Sequence, residues 1–150
     1  MRTFVTLLAL GVFTLIVSAS RGDEPAGGIL PKDLVGTYMV VAGENGGRPS
    51  PTERIEGVLV RFTENSIIVT DTAKKEVYAC TYELKSPGNP AKITMTSTLE
   101  SNRGAKATGL VERDGKTVKL IYKLPDIGEE PTKFETTKGQ LMFVLNRTPD

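Results

Sequence analysis

The stretch Lys106–Leu124 constrains the fold most, because two runs of alternating apolar and polar residues flank the dipeptide Asp114-Gly115. Side chains in a strand alternate between its two faces, so one side of each run is predicted to be buried. In the second run the apolar face is made by Val118, Leu120, Tyr122 and Leu124. Asp-Gly suits the two positive-φ positions of a type I′ turn, which predicts a β-hairpin. A lone hairpin is marginal in water, so the rest of the chain must supply a larger sheet.

Short strands separated by turn-rich loops recur along the rest of the chain. Besides the two strands of the hairpin, the predicted strands are Thr37–Ala42, Gly57–Thr63, Ser66–Asp71, Glu76–Leu84, Ala91–Ser97, Thr132–Thr136 and Leu141–Arg147. Gly43–Pro51 and Pro125–Pro131 are predicted loops, because Gly and Pro interrupt both segments. Strands of this spacing predict an all-β protein, specifically an up-and-down antiparallel β-barrel of about eight strands. A β-sandwich is the alternative.

The N-terminus predicts a secretory signal peptide. Arg2 precedes a nearly continuous apolar run, Phe4–Val17, and the small residues Ser18-Ala19-Ser20 follow it. An uncleaved membrane anchor is the alternative, but the run is shorter than the ~20 residues of a spanning helix. We therefore expect a signal peptide over 1–20, a flexible mature N-terminus over 21–33, and one barrel domain over 34–148. The expected location is periplasmic or extracellular.

Charge excludes several classes of partner. The chain has 19 Lys+Arg and 18 Asp+Glu, and these residues are scattered singly or in short pairs such as Lys74-Lys75. Nucleic-acid-binding and membrane-surface proteins carry a basic stripe, and this chain has none. We expect no nucleic-acid partner, no membrane association after signal cleavage, and a monomer.

The residues that most catalytic and metal sites require are missing from the sequence. The chain has no histidine, which removes His-dependent nucleophilic catalysis and His-ligated zinc. Its single cysteine, Cys80, is predicted to be a buried thiol, with pairing to another chain as the alternative. A pair of carboxylates could act as in a glycosidase, but nothing in the sequence places two in one cleft. We expect no catalytic residues, no metal, no cofactor and no enzymatic activity.

Several motifs resemble one family of proteins. They are Leu34–Val40 (LVGTYMV), Glu44–Gly46 (ENG), Gly109–Leu120 (GLVERDGKTVKL), Glu130–Phe134 (EPTKF) and Leu141–Arg147 (LMFVLNR). Together they are similar to a family of small secreted lipocalin-like domains that is numerous in planctomycete bacteria. The resemblance covers most of residues 34–147 and is most specific at the two ends.

The resemblance implies a structural role for two residues and no activity. In lipocalin-like barrels an aromatic residue at the start of the first strand packs beneath an arginine of the last strand and closes one end. By position these residues are Tyr38 and Arg147, although the family generally has Trp at the first position. A guanidinium over an aromatic face is worth ~0.5–2 kcal/mol. The family has no established activity that can be transferred to this chain.

Inward-facing aromatic residues give the only candidate ligand site. Tyr78, Tyr82, Tyr122 and Phe62 all fall on predicted inner faces. An eight-stranded barrel either fills with side chains or holds one small ligand, so these residues indicate a ligand cavity or a packed core. The expected function is an exported lipocalin-like binding module for a small apolar ligand. The alternative is a secreted protein-interaction or inhibitor domain, with a filled barrel and functional loops at Gly43–Pro51 and Pro125–Pro131.

Overall fold

The computed structural model describes residues 28–85 and 88–149, which form mostly β-strands. The strands are β1 Gly36–Asn45, β2 Arg48–Pro49, β3 Leu59–Phe62, β4 Ser66–Thr70, β5 Glu76–Leu84, β6 Ala91–Ser97, β7 Lys106–Asp114, β8 Thr117–Lys123 and β9 Gln140–Arg147. The helices are short: α1 Pro31–Leu34, α2 Thr52–Ile55 and a 3₁₀ turn, Glu100–Asn102. The predicted signal peptide over 1–20 lies outside the described residues.

The sheet closes into a barrel. From β3 onward each strand pairs antiparallel with the next, β1 pairs with β3, and β1 also pairs with β9. Closure leaves eight strands in the barrel, with the short strand β2 outside it against the end of β1. The predicted up-and-down barrel is therefore confirmed, and the sandwich is excluded. Closure also removes the exposed edges that an open sheet of this size would present.

The hairpin that dominates the sequence forms as β7 and β8, with a different turn. Asp114 pairs with Thr117, so the two loop residues are Gly115 and Lys116. Gly115 has φ +60°, whereas Lys116 has no positive φ. A positive φ at the first loop position alone is typical of a type II′ turn, which requires glycine there. The predicted type I′ turn on Asp114-Gly115 is wrong by one position.

Three other local predictions are also wrong. Gly43–Pro51 is not one loop, because β1 continues to Asn45 and pairs with β2 across a turn at Gly46-Gly47. Alternation along Thr37–Ala42 predicts that Ala42 shares a face with Tyr38 and Val40. Tyr38 and Val40 are buried but Ala42 is exposed, because a β-bulge between Val40 and Ala42 shifts the alternation of faces. The predicted strand Thr132–Thr136 is absent: residues 132–135 form bends, and Thr136 is irregular.

One end of the barrel, which we call the closed end, is plugged by apolar side chains and α1. Leu34 of α1 is fully buried, and the Tyr38 hydroxyl donates a hydrogen bond of 2.8 Å to the Leu34 carbonyl oxygen. The ring of Phe62 stands edge-on to Tyr38 and to Tyr82, with ring centroids 5.5 and 5.9 Å apart. Edge-to-face pairs of this kind add about 0.5–1.5 kcal/mol each to the burial of the rings.

The packed unit begins before residue 34. Ile29 is buried in the core, and its backbone N–H donates to the carbonyl oxygen of Gly88 at 2.9 Å. Residues 28–33, which the sequence analysis assigns to a flexible N-terminus, are therefore part of the closed end.

The connection between β8 and β9 crosses the outside of the barrel, and we call its residues 125–139 the strap. Thr108 of β7 donates to the carboxylate of Glu130, and the Gln140 side chain donates to the Glu129 carbonyl oxygen at 2.7 Å. Ile121 points to the outer face of β8, yet it is fully buried. Burial on the outer face indicates that the strap covers this part of the barrel.

Candidate functional site

The candidate site is a small cavity at the end of the barrel opposite α1, which we call the open end. Its volume is about 40 Å³. Seven apolar side chains line it: Val60, Ile67, Val69, Met95, Leu120, Phe143 and Leu145. The two remaining lining residues are Tyr78 and Tyr122.

The mouth of this cavity is formed by the lining residues that keep some exposure. Val69, Tyr78, Tyr122 and Phe143 are partly exposed, whereas the deeper lining residues are buried. The rings of Tyr122 and Phe143 lie 6.4 Å apart, tilted by 32°. The cavity therefore opens between aromatic side chains.

Two weakly acidic side chains, Tyr78 and Tyr122, line the cavity, and the Cys80 thiol lies near them. Tyr78 and Cys80 both lie on the inner face of β5, two residues apart, so the hydroxyl and the thiol are electrostatic neighbours. Burial raises the pKa of Tyr78, and the neighbouring Cys80 and Tyr122 raise it further. Burial, with a smaller contribution from Cys80, raises the pKa of Tyr122 as well.

Cys80 is the buried free thiol that the sequence predicts, with 1% of its surface exposed. Burial raises the pKa of Cys80 to about 11, although its interactions with Tyr78 and with the backbone of Ile67 partly offset this effect. At neutral pH the thiol and both tyrosine hydroxyls are therefore protonated and uncharged.

The four predicted ligand-binding residues separate into two pairs. Tyr78 and Tyr122 line the cavity, whereas Phe62 and Tyr82 lie in the packed closed end. The Tyr82 hydroxyl donates to the carbonyl oxygen of Thr63 at 2.7 Å, and burial raises the pKa of Tyr82 to about 12.

The predicted closure pair lies at the closed end. Tyr38 and Arg147 are direct cross-strand partners. Arg147 donates through Nη2 to the Val35 carbonyl oxygen at 3.0 Å, and a side-chain carbon at Gly36 would lie 3.0–3.2 Å from its guanidinium. Burial raises the pKa of Tyr38, and the positive charges of Arg147 and Arg113 partly offset it. The role of the pair in closing the barrel stays a prediction.

Sequence reasoning missed most of the apolar lining. Val69 and Met95 fall on inner faces by alternation, so that signal was present, but their depth in the barrel depends on the register between strands. Gly109 gave no local signal of its role. A side-chain carbon there would lie 1.9 Å from the Ile121 carbonyl oxygen and 2.7 Å from the Tyr122 Cα, so glycine permits the close approach of β7 to β8 beside Tyr122.

Two other kinds of site receive no support within the described residues. No three Asp, Glu or Cys side chains in residues 28–85 and 88–149 lie together so that they could hold a metal ion. In the same part of the chain, no helix has the length and apolar character needed to cross a membrane.

These features define a class of protein: a small closed up-and-down β-barrel of lipocalin-like architecture, packed at one end and open to a small apolar cavity at the other. Comparison with models of protein families, with curated proteins and with solved structures finds no match to this chain.

Proposed function

We propose that this protein is an exported, lipocalin-like binding module that holds a small apolar ligand at the open end of the barrel and catalyses no reaction. The observation that carries the proposal is the cavity itself, whose lining is almost wholly apolar and includes two tyrosines. Ligand sites commonly have this composition, in which apolar walls supply affinity and a few polar groups fix orientation.

The size of the cavity limits the ligand. Sites for drug-sized ligands measure about 300–1,000 Å³, whereas a single water needs roughly 10–15 Å³. A cavity of about 40 Å³ therefore fits a few heavy atoms, which would be a very small molecule or the apolar end of a larger one. A larger ligand requires rotation of the partly exposed side chains at the mouth, Tyr78, Tyr122 and Phe143.

A matched pair of variants tests ligand binding. Val69 lies in the mouth of the cavity, and Val77, on the same sheet, is 48% exposed on the outside. Val69→Trp should fill the mouth, whereas Val77→Trp adds the same ring outside. Each protein is labelled with ¹³C at the methionine methyl groups and titrated with pentane. Met95 lines the cavity and reports binding, and Met39, 46% exposed on the outer face, is the internal control.

We expect pentane to shift the Met95 methyl resonance saturably in the unchanged protein and in Val77→Trp, and not in Val69→Trp. The Met39 resonance should stay constant in all three proteins. If Met95 does not respond in the unchanged protein, or responds equally in Val69→Trp, the proposed site is wrong. Circular dichroism of each variant establishes that the barrel is intact.

Export is supported by the apolar run Phe4–Val17 and the small residues after it. The protein recovered from the periplasm or medium of its host should have the mass of a monomer that begins at Arg21. Leu10→Arg, which places a charge inside the apolar run, should leave the full-length chain in the cells. Recovery of uncleaved protein from the cytoplasm of the unchanged strain would contradict export.

A second candidate function is protein interaction, and one observation favours it. The two predicted functional loops are not independent: the β1–β2 hairpin donates through Gly47 N–H to Thr136 of the strap at 2.7 Å, and Thr136 donates to Glu44. The hairpin and the strap thus form one continuous surface on a barrel whose interior is largely filled. Capture of one specific partner from periplasmic extract, lost when Gly46-Gly47-Arg48 is replaced by Ser-Gly-Ser, would support this function. No specific capture would count against it.

A further inference from the structure

We propose that the open-end cavity selects uncharged molecules that carry a hydrogen-bond acceptor, such as small ketones, over carboxylates of the same size. This inference rests on the proposed function and names the class of ligand for the same site.

The lining of the cavity contains no charged residue. It consists of seven apolar side chains and two tyrosines. Lys123 directly follows Tyr122 on β8, but consecutive residues of a strand face opposite sides, so Lys123 belongs to the outer face. A carboxylate in this cavity would lose its hydration without gaining a cation, which is a large cost.

The Tyr122 hydroxyl supplies the polar contact. Among the described residues, no hydrogen bond engages this hydroxyl, whereas the Tyr82 hydroxyl is bonded to the Thr63 carbonyl. No fully buried side-chain oxygen in the described part of the chain lacks a partner, so the Tyr122 hydroxyl oxygen keeps some exposure, in keeping with the position of Tyr122 at the mouth. It is available to donate to a ligand.

The protonated state of the Tyr122 hydroxyl also favours a ligand that carries a hydrogen-bond acceptor. Burial raises the pKa of Tyr122, so the group remains a protonated, uncharged donor through the neutral range. An uncharged donor satisfies a carbonyl oxygen without leaving an unpaired charge in the cavity. The pairing of one donor with one acceptor therefore gives the ligand its orientation.

Three probes with the same number of non-hydrogen atoms separate the possibilities: butanone, propanoate and pentane. The protein, as its host processes it, is titrated with each at neutral pH, and the Met95 methyl resonance reports occupancy with Met39 as the internal control. We expect butanone and pentane to bind saturably, and propanoate to bind at least tenfold more weakly than butanone.

Two matched variants test whether the Tyr122 hydroxyl donates a hydrogen bond to the ligand. Tyr122→Phe should lower the affinity for butanone roughly two- to tenfold relative to the affinity for pentane, which is the net effect of one neutral hydrogen bond. Tyr82→Phe removes a hydroxyl at the closed end and should change neither affinity.

The outcomes separate this inference from the proposed function. If propanoate binds as tightly as butanone, or if Tyr122→Phe leaves butanone binding unchanged while pentane binds, the preference for uncharged acceptors is wrong and the cavity remains a binding site. If none of the three probes moves the Met95 resonance, the proposed function and this inference are both wrong. The comparison of butanone with propanoate needs no variant, so a misfolded Tyr122→Phe protein does not prevent the test.

Discussion

At the scale of the residue, the weakly acidic groups in and near the cavity stay protonated at neutral pH. Cys80 lies beside Tyr78 with 1% of its surface exposed, and its pKa is raised to about 11. The thiolate is the reactive form of cysteine, and at pH 8 a thiol of this pKa is about 0.1% ionised. The buried thiol should therefore be chemically inert in the folded protein.

We predict that iodoacetamide labels Cys80 at pH 8 at least ~100-fold more slowly in the folded protein than in urea, because both access and ionisation are lost on folding. Intact-mass spectrometry measures the single adduct. Equal rates in the two states would show that the thiol is not buried. Because folding raises the pKa of this thiol, its protonated form stabilises the folded protein below about pH 9. This stabilisation is lost as the pH rises towards 11.

Gly109 permits the closest backbone approach in the barrel wall beside the cavity. We predict that Gly109→Ala lowers the free energy of unfolding by about 3 kcal/mol, because the new methyl group would meet the Ile121 carbonyl 1.9 Å away. Gly104→Ala is the control: no atom lies within 4 Å of the added carbon, and only its φ of +86° causes a cost of about 1 kcal/mol. Urea denaturation measures both values, and equal losses would contradict the predicted contact between β7 and β8.

At the scale of the element, the strap is held to the barrel by hydrogen bonds between residues far apart in sequence. The Glu44 carboxylate accepts from both the hydroxyl and the backbone N–H of Thr136, which is 92 positions away. These two bonds lower the pKa of Glu44. Their stabilisation is therefore present above the carboxyl group's ordinary pKa and is lost as the pH falls through the lowered pKa.

We predict that Glu44→Gln costs about 1 kcal/mol at pH 7, a value at the low end for bonds to a charged group because Glu44 is partly exposed. The difference between the variant and the unchanged protein should shrink as the pH is lowered through the acidic range. Glu129→Gln makes the same change at an exposed strap residue whose carboxylate accepts no hydrogen bond among the described residues, and should have no effect. A pH-independent difference would contradict a role for the ionised carboxylate.

The strands show what the local alternation of apolar and polar residues can and cannot predict. The predicted bounds of Glu76–Leu84 and Ala91–Ser97 match β5 and β6, although only β6 alternates throughout, since the neighbours Ala79 and Cys80 of β5 are both buried. Ala42 was misplaced because a bulge inserts one residue without any change in hydrophobicity. Thr136 was assigned to a strand, yet its backbone N–H is used by Glu44, a partner that local sequence does not reveal.

The candidate site, like the strands, could be predicted only in part from the sequence. Alternation placed Phe62, Tyr78, Tyr82 and Tyr122 on inner faces, and the burial of Phe62 and Tyr82 agrees. Alternation does not give height along the barrel axis. Height is fixed by pairings such as Val69 with Tyr78 and Gly109 with Tyr122, which place the two lining tyrosines at the open end.

At the scale of the whole molecule, the two ends of the barrel differ in construction. The closed end is filled by α1 and the Tyr38–Phe62–Tyr82 rings, and the open end keeps about 40 Å³ of unfilled space between partly exposed side chains. Because the closed end is filled, a ligand would enter and leave by the mouth at Tyr78 and Tyr122. The open end is therefore the part of the barrel at which we propose that a ligand binds.

The most direct test is native mass spectrometry of the protein purified from its own host, before and after extraction with organic solvent. We predict a monomer that carries a reproducible small additional mass, which extraction removes and which Val69→Trp lacks. A bare monomer mass in the unextracted protein would contradict a carried ligand and favour the interaction surface formed by the β1–β2 hairpin and the strap.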